Sequence, residues 1–255
     1  MSIQTTRFII ICAARTGSTM LRSMLNSHPQ LVCHGEVFAP RLMGFVGIWG
    51  QSGIYSPIGQ LLEKMRDERP VDFLRDYLFY AGSYQAIGVK IKYDELEQPR
   101  WSAVFDSLLA DRDIRVIHLM RENRLRRLVS AIMAELTGVT VVVASEPEPE
   151  PRRPLRKMVI DVERCIRDFT AVQAAEARFR RHFSGHRTFE VSYEGIMDDR
   201  SRQLSDLQRF LRVEEATLTA NTVKQSADRL EDVIENYSEV RDALCQTEFA
   251  YCLQG

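Results

Sequence analysis

Phe8-Ile9-Ile10-Ile11-Cys12-Ala13-Ala14-Arg15-Thr16-Gly17-Ser18-Thr19 is the stretch that decides the fold. Five apolar residues in succession, without polar alternation, mark a strand covered on both faces, as in a parallel sheet. Met20, Leu21, Met24 and Leu25 then recur at helical spacing, and His28-Pro29 ends the pattern. Ser18 or Thr19 is the expected cap of that helix. A buried strand turning through Gly17 into a helix gathers unpaired amides, the positive end of the helix dipole and two hydroxyls at one point. Such a junction serves either as a plain capped helix start or as a cradle for a phosphate-like anion, and the stretch alone supports both readings.

The same alternation continues outward. Residues 31–33, 86–91, 114–119 and 188–193 read as further strands, and 58–80, 101–109 and 125–136 as helices. Val162, Ile166, Phe169, Val172 and Phe179 mark one face of a long helix; Leu204, Leu207, Phe210 and Leu211 mark another. Strands alternating with helices require crossover connections, hence an α/β fold with a central parallel sheet flanked by helices. The prolines at 147, 149, 151 and 154 exclude helix and central strand, so 146–154 reads as an exposed loop. The glycine-rich segment 39–56 reads as irregular and as a candidate lining for an acceptor pocket. Neither a repeat nor a linker divides the chain, so a single domain over residues 1–255 is expected.

Composition narrows the function. With 34 basic and 35 acidic side chains among 255 residues, no global field attracts nucleic acid or an anionic membrane, and any anion site is local. No segment is long and apolar enough to predict a membrane span. Cys12, Cys33, Cys165, Cys245 and Cys252 are scattered, without metal-ligand spacing, so a reducing, cytoplasmic setting and no metal are expected.

The loop lacks the lysine and first glycine of a Walker A motif. Its positive charge stands before the glycine, at Arg15, in reach of a group attached to a cradled phosphate. In this order of strand, Arg-Thr-Gly-Ser-Thr and helix, the segment resembles the 5′-phosphosulfate loop of sulfotransferases that use 3′-phosphoadenosine 5′-phosphosulfate (PAPS). Residues 119–130, Leu-Met-Arg-Glu-Asn-Arg-Leu-Arg-Arg-Leu-Val-Ser, are similar to the second half of that family's signature, above all to its bacterial trehalose and nodulation-factor branches. The resemblance implies a P-loop-like three-layer sandwich. It also implies a PAPS site in which Arg15, Thr16, Gly17, Ser18 and Thr19 hold the 5′ end, and Arg121 with Ser130 the 3′-phosphate.

Val191-Ser192-Tyr193-Glu194 resembles the family's late strand and turn, which makes Tyr193 a candidate for adenine packing or a plain core tyrosine. Lys224 is a candidate for the 3′-phosphate or an exposed loop lysine. Arg124, Arg126 and Arg127 read as a solvated basic face. For the acceptor proton, Glu36 in His34-Gly35-Glu36-Val37-Phe38 matches the base of the trehalose-type branch, with His34 as the fallback. Animal cytosolic members carry a Lys-Thr-His strand end; here Lys92 holds the histidine position, and Lys90 is a candidate to hold sulfuryl or phosphate oxygens, or a surface lysine at a strand end. His118, inside a strand, reads as a satisfied core histidine. The expected acceptor is a small molecule, glycan, lipid or natural product, and the pairing of bacterial relatives leaves a homodimer open. Two other functions compete: an atypical phosphotransferase, and an inactive nucleotide-binding module.

Overall fold

The computed structural model describes residues 5–46, 56–80, 82–138, 157–222 and 229–253. Its main elements are β1 (Thr6–Cys12), α1 (Ser18–Asn26), β2 (Leu31–His34), α2 (Pro57–Glu68), β3 (Ala86–Lys92), α3 (Ser102–Ala110), β4 (Arg115–Met120), α4 (Arg124–Thr137), α5 (Val162–His182), β5 (Thr188–Ser192), α6 (Tyr193–Asp198), α7 (Arg200–Leu211) and α8 (Tyr237–Leu244). Lys224, the 146–154 loop and residues 47–55 of the glycine-rich segment lie outside the described residues.

All five strands run parallel in the order β2-β3-β1-β4-β5. β1 is central because its side chains are apolar on both faces. Ile9 and Ile11 enter one core, with Leu62 of α2, Val104 and Leu108 of α3 and Phe179 of α5. Phe8, Ile10 and Cys12 enter the other, with Leu21 and Leu25 of α1 and Leu204 and Leu207 of α7. Phe8 to Ile11 are fully buried, each worth about 1.5–3 kcal/mol relative to exposure. The result is a three-layer sandwich. A third cluster joins α4, the first half of α5 and α8 through Leu128, Val129, Phe169 and Val240.

Two local expectations are corrected. The helix expected over 58–80 breaks after Glu68, because Arg69 precedes Pro70 and leaves the helical region (φ −138, ψ 63). A short turn Pro70–Phe73 and a π-helical turn Leu74–Leu78 follow. The cap of α1 is Gly17, in the left-handed region, and no side chain caps it; Ser18 is already inside the helix. The five cysteines are free thiols. Among the described residues no helix is long and apolar enough to cross a membrane.

Candidate active site

The loop between β1 and α1 is held by its carbonyls. Thr16 Oγ1 donates to Ala13 O (3.0 Å), Arg127 Nη1 to Ala14 O (3.2 Å) and Arg121 Nη1 to Arg15 O (3.2 Å). Three successive carbonyls are thus committed to side chains. Arg15 (φ 67) and Gly17 (φ 81) are left-handed on either side of Thr16, an alternation that turns amides toward a common concavity. A non-glycine residue in that region costs about 1 kcal/mol or more, which the bond from Arg121 offsets. A Cβ on Gly17 would stand 2.5 Å from Tyr193 Cδ2, so the tyrosine ring lies flush on the loop.

Tyr193 opens α6 directly after β5, and the Arg121 guanidinium sits 4.7 Å from its ring centroid. Glu194 accepts from the amides of Glu122 and Asn123 (2.8 and 3.2 Å), tying α6 to the end of β4. Arg121 is buried, and its Nε makes no hydrogen bond, Glu194 lying 3.9 Å away. Arg15 Nε donates to Ser130 Oγ at 3.0 Å. The fold therefore brings Arg15, Gly17, Arg121, Ser130 and Tyr193 into one cradle, with a buried guanidinium N–H left to satisfy.

Glu36 stands on a second wall, just past β2. Its loop closes where Gly35 N donates to Gly44 O (2.7 Å), and a Cβ on either glycine would fall within 2.9 Å of the other's Cα. Fully buried Arg66 donates to the carbonyls of Val37 and Ala39 (2.8 and 3.1 Å), and Trp101 Nε1 to that of Phe38 (2.8 Å). From β3, Lys90 Nζ donates to Glu36 Oε1 (2.5 Å) and Lys92 Nζ lies 3.2 Å from Oε2. Lys90 also reaches Thr19 Oγ1 in α1 (3.4 Å), so one ammonium joins the two walls. Burial pushes the Glu36 carboxyl up, but Lys90 and Lys92 outweigh it and hold it at about 2. His34 Nδ1 accepts from Val46 N (3.0 Å), and its ring stacks on Phe45. Burial, then the charge of Arg22, pushes His34 down to about 4, so it is neutral at pH 7.

Two readings of α4 change. Arg124 and Arg127 are buried, not solvated. Arg124 makes a two-point pair with Glu176 and donates to Tyr251 (3.1 Å), while Arg127 pairs with Asp168. The acids come from α5, 41 and 52 residues away. The sequence signal for Arg124 was its stripe: it precedes Leu128 and Ile132 at four-residue steps on a buried face. Nothing local marks Arg127, whose partners are Ala14 and Asp168.

Lys90 is buried rather than a surface lysine at a strand end. His118 is buried but only half satisfied: Tyr93 Oη lies 2.5 Å from Nε2, whereas Nδ1 has no hydrogen bond and Glu190 is 3.7 Å away. It faces a cavity of about 370 Å³, also lined by Phe179, Arg180 and Thr188, on the sheet face opposite α1. Among the described residues, no three His, Cys, Asp or Glu side chains gather as a metal-ligand set.

Nodulation protein H of Rhizobium tropici is 24% identical over 237 residues, covering 92% of this chain and 87% of that protein. Nodulation protein H of Rhizobium meliloti (strain 1021) is 23% identical over 236 residues, covering 92% and 89%. A sulfotransferase structure from Alicyclobacillus acidocaldarius superposes with a TM-score of 0.50 at 16% identity, over 97% of this chain and 95% of that one, which shows a shared P-loop-like fold. The sequence model of the sulfotransferase family matches residues 7–217, a span that contains the loop, Glu36, Lys90, Arg121, Ser130 and Tyr193. With the matched span running from β1 past α7, the chain belongs to the sulfotransferase family.

Proposed function

We propose that this protein transfers a sulfuryl group from PAPS to an acceptor hydroxyl, acting as one domain over residues 1–255. The observation that supports this most is the shared cradle: Arg15 Nε donates to Ser130 Oγ at 3.0 Å and the Arg15 carbonyl accepts from Arg121 Nη1 at 3.2 Å, so a single nucleotide with charge at both ends can meet all three. The orphan Nε of buried Arg121 is a donor open to a phosphate oxygen, and loop carbonyls tied down by side chains leave the loop amides for an anion.

In this reading residues 15–19 receive the 5′ end, Arg121, Ser130 and Lys224 the 3′-phosphate, and Tyr193 the adenine. The donor supplies an activated sulfuryl group, whose bond to a phosphate oxygen breaks as the bond to the acceptor oxygen forms. Arg15 and Lys90 neutralise the charge that gathers on the departing phosphate. Glu36 takes the acceptor proton, a role typically worth about 10² to 10⁴ in rate; His34 is the alternative base. The acceptor is a hydroxyl on a small molecule, glycan, lipid or natural product. The free cysteines suit a reducing compartment such as the cytoplasm.

The test pairs calorimetry with 3′,5′-adenosine bisphosphate (PAP), the desulfated product, and incubation of sulfur-labelled PAPS with a cell extract. PAP binding together with label on an extract component supports the reading. Binding without transfer to any hydroxyl leaves an inactive nucleotide-binding module; no binding removes the proposal.

A further inference from the structure

Resting on that reading, we propose that Lys90 is a cation shared between donor and base, so that nucleotide binding at the loop draws it from Glu36 and makes the carboxylate fit to take a proton. The geometry isolates this lysine. Its Nζ is 2.5 Å from Glu36 Oε1 and 3.4 Å from Thr19 Oγ1, a hydroxyl in the first turn of the helix that follows the anion cradle. It is 2% exposed, so it cannot exchange either partner for bulk water. An anion delivered beside Thr19 therefore competes with Glu36 for the same charge.

Lys92 does not behave the same way. It lies two residues along β3, on the same side, but is anchored by a second carboxylate, Glu95, at 3.3 Å, besides Glu36 at 3.2 Å. Glu95 is itself bonded to the Lys92 amide at 2.9 Å, which fixes that pair to the strand end. Lys92 thus stays and keeps Glu36 oriented, while Lys90 moves between two anions. A carboxylate clamped by both lysines is a poor base; clamped by one, it is a better one. The acceptor proton is then removed only when the donor is in place, and linkage makes the effect reciprocal: Glu36 weakens nucleotide binding by holding Lys90.

A double-mutant cycle on PAP affinity, read by calorimetry without any turnover, tests this. Glu36→Gln in the otherwise native protein frees Lys90 and should tighten PAP roughly 5- to 150-fold, the usual span of such couplings. In a Lys90→Met background the same change should give no gain. An equal gain in both backgrounds means simple repulsion between Glu36 and phosphate, and overturns the shared-cation proposal; so does the lack of any gain in the native background. Absence of PAP binding to the native protein instead removes the PAPS reading itself. Should Lys90→Met fail to fold, the milder Lys90→Gln background serves the same cycle: no gain from Glu36→Gln there supports the proposal, and a gain equal to the native one overturns it.

Discussion

The two walls of the site are built by opposite means. The loop wall, Ala13 to Thr19, is shaped by backbone: two left-handed residues, three carbonyls committed to side chains, and amides at a helix start. The Glu36 wall is shaped by charge: a carboxylate between two lysines, on a segment secured by Arg66 and Trp101. A backbone cradle keeps its form whatever the protonation state. An ion cluster changes its balance when one charge arrives or leaves. In the proposed function the first wall binds and the second handles the proton, and the difference exposes each to a different kind of damage.

The largest separation comes from Glu36→Gln. Sulfuryl transfer should fall by about 10² to 10⁴, while PAP still binds, and more tightly than to the native protein. A native transfer rate in this variant removes Glu36 from the chemistry and breaks the division of labour.

On the other wall, Arg127→Ala withdraws the donor to Ala14 O and leaves Asp168, 28% exposed, without its partner. A charge-assisted bond is worth about 1.5–3 kcal/mol, so PAP affinity should drop about tenfold or more and urea stability should fall with it. Unchanged PAP affinity would mean that the loop holds its shape without Arg127.

The ion cluster also predicts an acid limit to stability. Glu36 has its folded pKa depressed from 4.5 to about 2, so its contribution is complete above about 4.5 and is lost as pH falls towards 2. The unfolding free energy from denaturant titration should decline over that window by on the order of 1–3 kcal/mol, and the Glu36→Gln variant should lack that part of the decline. Parallel curves for the two proteins would show that the lysine pairing contributes nothing net. An effect of similar size, confined to binding, is expected from Tyr193→Ala, which uncovers Gly17: PAP affinity should weaken by about 1–3 kcal/mol if adenine stacks there, with the fold intact. Native affinity would make Tyr193 a packing residue only.

The backbone wall was legible in the sequence because its determinants are local. Phe8 to Cys12 name a buried strand, Gly17 names a left-handed turn, and Met20 to Leu25 name the helix. The precise cap was not legible, since Gly17, Ser18 and Thr19 are all acceptable by type and only the backbone path chooses. The break before Pro70 was written in the sequence but hidden beneath continuous apolar periodicity. The charge wall was legible only in its parts. Glu36 and Lys90 could each be named, yet 54 residues separate them, and only the β2-β3 pairing brings His34 level with Val89 and so sets the two charges together. Arg124 and Arg127 were misjudged for the same reason, because burial of an arginine depends on a distant acid supplied by α5.

A crystal structure with PAP bound tests the central claim most directly. The account predicts one nucleotide with its 5′-phosphate among the amides of residues 16–19 and its 3′-phosphate on Arg121 and Ser130. A nucleotide seated elsewhere, or one that touches Arg15 while Arg121 keeps only the Arg15 carbonyl, Tyr193 and Glu194 as neighbours, would contradict it.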